Sequence, residues 1–358
     1  MRKIAFLQKT DKYSGAENVV ITIMRLLPKE EYECVYISPD GEIRKVVEAE
    51  KLEFCAMPNS SLESVKKTIE QVKPDIIHAT DYGMSSYAAM LHMGIPVVSH
   101  LHNNVPWLKN PVYPKTLFFA LALPRVSQVI SVSPSIEEKF VYRNLLKNKN
   151  HVIYNVVDLE RVKMLSNSAE NLAKGKYEIA FLGRLTPPKK PLLFCKIIKK
   201  YKEIDNNVTA VMIGDGEIRN EVEKYIEENN LKENITLVGF QKNPYQFVKN
   251  AKLLLMPSEY EGFGLAAVES LSLGKPVVCS GVGGLKNVVT PECGLICTEV
   301  AAYVAEIQKL LSDKEYYIKK SESAKIRAEK FGDMQEYIRK IIEVYDKCLF
   351  GNEESDRK

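Results

Sequence analysis

The chain has 358 residues, of which 45% are hydrophobic and 27% are charged, and this length and balance predict a globular protein of two domains. A formal net charge of +4 does not by itself indicate nucleic-acid binding, and no apolar run approaches the roughly 18 residues of a membrane-spanning helix. Seven cysteines without regular spacing favour free thiols in a cytoplasmic protein, and the short apolar start favours a strand over a secretory signal.

Short apolar runs alternate with helical patterns along the first half of the chain. Residues 4–8 predict a strand, and residues 15–27 predict a helix that ends at Pro28. Further strands are predicted at residues 35–38, 75–78, 96–101 and 128–132, with helices at 62–72 and 84–93 between them. This alternation predicts right-handed βαβ units and a parallel sheet.

The alternation restarts after a polar segment at residues 169–176, which we interpret as a linker. Strands are predicted at residues 177–182, 208–213, 235–238, 253–256 and 276–279, and three helices close the chain at 303–311, 314–330 and 334–349. We therefore predict an α/β fold of two Rossmann-like domains that face each other across a deep cleft. The predicted parts are an N-terminal domain at 1–165, a C-terminal domain at 166–332, a helix at 333–350 that packs back on the N-terminal domain, and a frayed tail at 351–358.

The nine residues from Glu261 to Glu269 carry the strongest functional signal. Two carboxylates lie eight positions apart, with a Gly-Phe-Gly turn and the apolar start of a helix between them. The backbone N–H groups at the start of a helix bind anions, whereas carboxylates are suited to accept hydrogen bonds from hydroxyls. A ligand that combines phosphate with hydroxyls is a sugar nucleotide.

A basic loop follows the predicted strand at residues 177–182. Gly183 permits a turn there, and Arg184 and Lys189 lie five positions apart across a loop that two prolines stiffen. The fork of an arginine and the point charge of a lysine suit a diphosphate.

Together these motifs resemble the large family of retaining glycosyltransferases that includes glycogen and sucrose synthases and bacterial mannosyltransferases, with the GT-B fold. The resemblance covers nearly the whole chain. Its landmarks occur in order: Gly183-Arg184-Leu185 with Lys189, Gly214-Asp-Gly216, Val238-Gly-Phe240, Glu261 with Glu269, Pro276-Val-Val278 and Gly283-Gly284.

The resemblance implies a role for each of these motifs. Glu269 would hold the ribose hydroxyls, and Glu261 would bind hydroxyls of the donor sugar. Arg184 and Lys189 would neutralise the diphosphate as it leaves. Other donor contacts are expected at Gly183, Phe240, Phe263, Gly264 and Leu265.

The first domain supplies two further candidates. Gly15 follows the first strand and matches the glycine-rich loop of the family, where it would approach the phosphate or the acceptor. His102 matches the active-site histidine and would contact the donor sugar. His100 is predicted to face the core, and because His100 and His102 have no third ligand in view, we predict no metal site.

The family resemblance implies transfer of a hexose from a nucleotide-diphosphate sugar, with UDP favoured, to an acceptor hydroxyl in bacterial polysaccharide or glycoconjugate synthesis. Retention of configuration, independence of metals and the absence of any cofactor beyond the donor are expected. Two alternatives stay open: a catalytically silent partner subunit that binds the acceptor, and a phosphorylase or sugar-nucleotide epimerase. A dehydrogenase is excluded because Gly214-Asp-Gly216 lacks the third glycine of the dinucleotide fingerprint.

The segment from Tyr82 to Ile136 contains no Asp or Glu, although it carries Lys109, Lys115 and Arg125 among aromatic residues. Such a segment is compatible with peripheral docking on an anionic membrane, at the inner face of the plasma membrane, where a lipid-linked glycan acceptor would lie. It is equally compatible with a buried sheet and helix that carry a few solvated lysines.

Overall fold

A computed structural model describes residues 1–168 and 175–351, and these residues form two α/β units. The first unit contains residues 1–156 together with the C-terminal helix, and the second contains residues 157–333. The predicted tail, apart from Gly351, and residues 169–174 of the predicted linker lie outside the described residues.

The first unit is built on a parallel sheet of seven strands. These are β1 (Arg2–Leu7), β2 (Tyr32–Pro39), β3 (Glu53–Met57), β4 (Ile76–Thr80), β5 (Val97–Leu101), β6 (Gln128–Ser131) and β7 (Asn150–Val152). Their order is β3-β2-β1-β4-β5-β6-β7, so the direction of winding reverses between β1 and β4. The central strands are apolar on both faces because helices cover both sides of a parallel sheet.

Seven α-helices belong to the described part of this unit: α1 (Gly15–Leu26), α2 (Glu42–Ala49), α3 (Leu62–Val72), α4 (Asp81–Met90), α5 (Pro114–Ala122), α6 (Pro134–Lys139) and, at the end of the chain, α15 (Met334–Phe350). Helix α15 packs against α1, β5 and β6, and its Tyr345 is fully buried there. The last helix of the chain is therefore part of the core of the first unit.

The second unit contains a parallel sheet of six strands. These are β8 (Ile179–Leu182), β9 (Ala210–Ile213), β10 (Ile235–Gly239), β11 (Leu253–Met256), β12 (Val277–Ser280) and β13 (Gly294–Cys297). Their order is β10-β9-β8-β11-β12-β13, which reverses between β8 and β11. In open α/β sheets, ligands bind at the carboxyl ends of the strands beside such a reversal.

The helices of the second unit are α7 (Leu159–Ser166), α8 (Pro191–Lys202), α9 (Arg219–Glu228), α10 (Tyr245–Lys249), α11 (Leu265–Ser272), α12 (Leu285–Val288), α13 (Val300–Ser312) and α14 (Lys314–Glu329). Helix α7 begins where the Asp158 carboxylate accepts a hydrogen bond from the N–H of Arg161, at 2.9 Å. On one side of the sheet, Phe181, Phe194 and Leu255 contribute to a continuous apolar core.

The prediction of an α/β protein with two Rossmann-like domains is confirmed, because each unit has a parallel sheet flanked by helices. The structure divides the chain at 156/157, where the sequence pattern suggested 165/166. The difference is helix α7, which packs against α10 and α11 and thus belongs to the second unit.

Candidate active site

The reversal of strand order in the second unit brings two predicted loops together. After β8, the carbonyl of Pro188 accepts a hydrogen bond from the N–H of Glu259, which follows β11, at 2.7 Å. The Lys189 ammonium forms an ion pair with Oε1 of Glu261, and the Ser258 hydroxyl donates to the same oxygen at 3.0 Å. Two candidate residues 72 positions apart in the sequence are thus in direct contact.

The ion pair is largely shielded from solvent. The Glu261 side chain is 8% exposed and the Lys189 side chain 25% exposed. A carboxylate that is so deeply buried needs compensating partners, and the neighbouring cation and the serine hydroxyl supply them. The paired ammonium keeps donors that a further acceptor can use, since a lysine has three.

Arg184 lies in the same loop but is exposed, and it forms no ion pair with any residue that the structure describes. Burial raises the pKa of Tyr260, and the positive charge of Arg184 opposes that rise, so the guanidinium lies near this ring. Arg184 therefore adds a positive charge near Tyr260, the residue that precedes Glu261 in the acidic loop.

Helix α11 starts immediately after the acidic loop. Gly264 caps it in the left-handed region, at φ +104°, and Leu265 is its first residue. The Phe263 ring is buried against Phe331, with 5.4 Å between the ring centroids. The backbone N–H groups of the first turn of a helix lack intrahelical partners and favour an anion, so this turn adds positive potential at the end of the acidic loop.

The loop after β12 supports the acidic loop from the other side. A Cβ on Gly283 would lie 1.6 Å from the carbonyl oxygen of Glu261, and the backbone of Gly283 has φ +51°. The N–H of Gly284 donates to the carbonyl of Gly262 at 3.1 Å. The Gly283-Gly284 landmark of the sequence therefore fixes the backbone that carries Glu261.

Glu269 lies in the second turn of α11 and is partly accessible to solvent. Burial raises the pKa of Glu269 to about 7, and a hydrogen bond from the Tyr245 hydroxyl, at 3.1 Å, opposes that rise. Tyr245 was not among the sequence candidates, because it stands in the five-residue helix α10, where no motif marks it.

Two further candidates in this unit form no hydrogen bond with Lys189 or Glu261 among the described residues. Phe240 follows β10 at the edge of the sheet and is 62% exposed. Gly183 follows β8, but a Cβ there would meet only ordinary contacts of 3.8 Å or more, so the expected tight turn does not require glycine at this position.

In the first unit, His102 follows β5 and is buried. The Asp81 carboxylate accepts hydrogen bonds from the N–H of His102, at 2.9 Å, and from the Asn103 side-chain amide, at 2.6 Å. Asp81 has φ +58°, a strained conformation for a residue other than glycine and one often found at functional sites. Burial raises the pKa of Asp81 to about 6 and lowers that of His102 to about 3.

His102 is therefore neutral at pH 7, and neither of its ring nitrogens has a hydrogen-bond partner among the described residues. His100 is fully buried, as predicted, and its ring centroid lies 4.0 Å from that of His102. His100 Nδ1 lies 2.9 Å from Nε2 of His78, whose Nδ1 lies 2.7 Å from the Tyr345 hydroxyl. A buried chain of polar groups thus runs from α15 to the ring beside His102.

Gly15 is exposed at the first position of α1, after β1. Strand β4 lies between β1 and β5, and no hydrogen bond joins Gly15 to His102 in the described part of the chain. Within residues 1–168 and 175–351, no group of three or more His, Cys, Asp or Glu side chains could hold a metal ion. No helix among these residues is long and apolar enough to cross a membrane.

Comparison with known proteins gives two family matches. Residues 163–331 match the family described as glycosyl transferases group 1, and residues 13–161 match that described as glycosyltransferase family 4. An uncharacterized glycosyltransferase of Methanocaldococcus jannaschii, MJ1059, is 27% identical over 64% of this chain and 62% of its own length. The match therefore spans less than two thirds of that relative.

A second relative is matched over most of both chains. It is the UDP-Gal:alpha-D-GlcNAc-diphosphoundecaprenol alpha-1,3-galactosyltransferase of Escherichia coli, 25% identical over 87% of this chain and 88% of the relative. Among solved structures, Anabaena Alr3699/HepE in complex with UDP and glucose superposes with a TM-score of 0.83 at 20% identity, over 97% of this chain and 100% of that one. This likeness shows that the fold is shared.

Proposed function

Since the chain belongs to the glycosyl transferases group 1 family and has the GT-B fold, we propose that it transfers a hexose from a UDP-sugar to a hydroxyl of a lipid-linked glycan, with retention of configuration. The observation that carries the proposal is the Lys189–Glu261 ion pair at the strand-order reversal, beside the start of α11. It combines a cation for phosphate with a carboxylate for sugar hydroxyls.

In the proposed reaction, the diphosphate of the donor lies against Lys189, Arg184 and the first turn of α11. Charge builds up on the diphosphate as the bond to the sugar breaks, and fixed positive charge and N–H dipoles stabilise it there. Glu261 accepts hydrogen bonds from the sugar and Glu269 from the ribose. The two basic side chains supply the charge that the leaving group needs, so we propose no metal and no cofactor beyond the donor.

The relatives support the proposed acceptor. The Escherichia coli relative carries a diphosphoundecaprenol-linked acceptor in its name. We therefore propose that this enzyme acts in bacterial polysaccharide or glycoconjugate synthesis, on the cytoplasmic face of a membrane. Association with anionic lipid would place the enzyme at its acceptor.

The donor is tested first by thermal denaturation with UDP, GDP and ADP. A nucleotide at a hundred times its Kd adds about 2.7 kcal/mol to the free energy of unfolding, which raises Tm by several degrees for a domain of this size. We expect a shift with UDP that Arg184→Ala and Glu269→Ala reduce and Lys196→Ala, on the exposed face of α8, leaves unchanged. No shift with any nucleotide would favour the silent-partner alternative.

Transfer itself is tested with UDP-hexoses and an undecaprenyl-diphosphate-linked acceptor. The proton coupling at the anomeric carbon of the product reports whether configuration is retained, and activity in excess EDTA reports whether a metal is required. An inverted product, or activity lost in EDTA and restored by Mg²⁺, would contradict those two parts of the proposal. Consumption of the donor that depends on phosphate and not on the acceptor would indicate a phosphorylase.

The pKa of Glu269 gives the site a pH dependence. Burial raises this pKa from 4.5 to about 7, so the folded protein holds a proton that the unfolded chain releases, and the free energy of unfolding falls as pH rises through this range. Ribose hydroxyls need the ionised carboxylate as acceptor, so UDP affinity should rise about tenfold between pH 6 and pH 8. Calorimetric titrations across this range measure the profile. The variant Glu269→Gln should bind weakly at every pH and reveal any titration of the nucleotide itself; an identical slope in this variant would exclude Glu269 as the titrating group.

A further inference from the structure

Helix α5 of the first unit is apolar on two sides. Its inner face buries Thr116, Phe119 and Ala122. Its outer face exposes Leu117, Phe118 and Leu121, which follow the helical spacing i, i+1 and i+4 and lie on one stripe, and Leu121 is 65% exposed. A helix on the surface of a globular protein ordinarily presents polar residues on its outer side.

The stripe continues into the segment before the helix, where Val112 is 74% exposed and Tyr113 is 37% exposed. We call these five side chains, Val112, Tyr113, Leu117, Phe118 and Leu121, the α5 surface. Exposed apolar side chains that occur singly are common, but a contiguous stripe of this kind marks an interaction site.

The α5 surface stands on an ordered base. The ring of Phe119 packs edge-on against Tyr82, with 5.0 Å between centroids, and the ring of Phe118 contacts that of Tyr87 at 5.9 Å. The Thr116 hydroxyl donates to the carbonyl of Trp107 at 2.8 Å, and the indole of Trp107 stacks on Tyr113 at 5.8 Å. The outward side chains are therefore held in place by the core beneath them.

The segment that carries the α5 surface, residues 82–136, contains no Asp or Glu. Lys109, Lys115 and Arg125 are exposed, and none of them forms an ion pair with a described residue. The nearest acids in the sequence, Asp81 and Glu137, are engaged: Asp81 binds the His102 loop, and Glu137 accepts from the Asn150 amide at 2.6 Å. An apolar stripe with basic side chains around it is complementary to an anionic lipid surface.

We propose that the α5 surface docks on an anionic bilayer, with helix α5 lying in the plane of the interface. The apolar side chains enter the boundary between headgroups and acyl chains, and the three basic side chains meet lipid phosphates. A second copy of this chain is a poorer occupant, because a two-fold interface would place the same basic residues opposite each other. The inference rests on the proposed function in one respect, since docking brings the enzyme to a lipid-linked acceptor.

The sole tryptophan, Trp107, allows a test that locates the contact. The full chain is mixed with vesicles of phosphatidylglycerol and phosphatidylcholine in equal parts, or of phosphatidylcholine alone, and binding is measured by co-sedimentation at low and at high salt. Brominated acyl chains then quench Trp107 only if this side of the molecule faces the bilayer. We expect at least tenfold tighter binding to the anionic vesicles, weakening with salt, together with quenching.

Two variants and two matched controls decide the assignment. Leu117→Gln/Leu121→Gln and Lys115→Glu/Arg125→Glu should each weaken vesicle binding at least tenfold. Ile318→Gln/Ile326→Gln alters exposed apolar residues of α14, and Lys45→Glu/Lys196→Glu alters exposed lysines of α2 and α8; both should bind as the unaltered protein does. Equal binding by all variants, or binding without quenching of Trp107, would overturn the proposal, as would absence of binding.

The UDP-induced change in Tm is measured on the same variants. It should be unchanged in all of them, since none alters a residue of the donor site. Vesicle binding without a UDP shift would leave the docking surface standing and remove the proposed donor. A UDP-induced change in Tm without vesicle binding would support the proposed donor and overturn the docking surface.

Discussion

Replacing Lys189 by alanine is expected to lower kcat/KM for sugar transfer by about 10²–10³-fold, the usual effect of removing one group that stabilises charge in a transition state. The ammonium is held by Glu261 at the strand-order reversal, where the diphosphate is proposed to lie. Its loss removes a positive charge and also leaves a buried carboxylate beside the negatively charged leaving group. Steady-state kinetics with the UDP-sugar that gives turnover measures the effect, and Lys196→Ala is the control.

A double variant separates the two consequences. Lys189→Ala alone should also lower the free energy of unfolding by about 1–3 kcal/mol, which lies between the losses for breaking an exposed ion pair and a buried one. Lys189→Ala/Glu261→Gln removes the unpaired charge, so it should recover most of the stability without recovering transfer. If the Lys189→Ala enzyme keeps kcat/KM within threefold of the unaltered enzyme, Lys189 does not contact the diphosphate.

Replacing Gly283 by alanine is expected to lower both stability and transfer, although this residue carries no reactive group. The new Cβ would lie 1.6 Å from the carbonyl oxygen of Glu261, so the loop that carries Glu261 must move by an ångström or more. We expect a loss of about 2–4 kcal/mol in the free energy of unfolding and of about 10²-fold in kcat/KM, the typical effect of such a displacement. Chemical denaturation and kinetics measure the two losses.

The control for Gly283→Ala is Gly83→Ala, because a Cβ on Gly83 in helix α4 would meet nothing within 4 Å. This control should be as stable as the unaltered protein or slightly more so. Gly283→Asn separates the contact from the backbone conformation, since asparagine tolerates a positive φ but also carries a Cβ. An asparagine variant with full activity would show that the close approach to Glu261 does not matter.

The sequence allowed the fold class to be predicted because the central strands are buried on both faces and read as continuous apolar runs. Strands β3, β7 and β13 were missed, and all three lie at the edges of their sheets. Edge strands are covered on fewer sides, so their residues include exposed and polar ones, such as Glu53 in β3 and Asn150 in β7. The continuous apolar run that identifies a buried parallel strand is therefore weak in these three edge strands.

The candidate site was predictable in its motifs but not in its contacts. The pattern placed Lys189 and Glu261 on loops after strands, yet only the strand order shows that β8 and β11 are neighbours. Asp81 belongs to no sequence motif, because its partners, His102 and Asn103, are about 20 residues away and bind through a backbone N–H and an amide. Tyr245 contacts Glu269 from a helix that is too short to give a periodic pattern in the sequence.

The position of helix α15 determines the order in which the protein can fold on the ribosome. The second unit is one continuous stretch, so all of its residues have been synthesised once the chain reaches residue 333. The first unit begins at residue 1 but lacks Tyr345, the buried partner of His78, until the last helix has emerged. At about 5–20 residues per second, the first sheet waits on the order of ten seconds or more, with the apolar surface beneath α15 uncovered. The N-terminal half of the chain is therefore the last to be completed, and chaperones have most time to act on it.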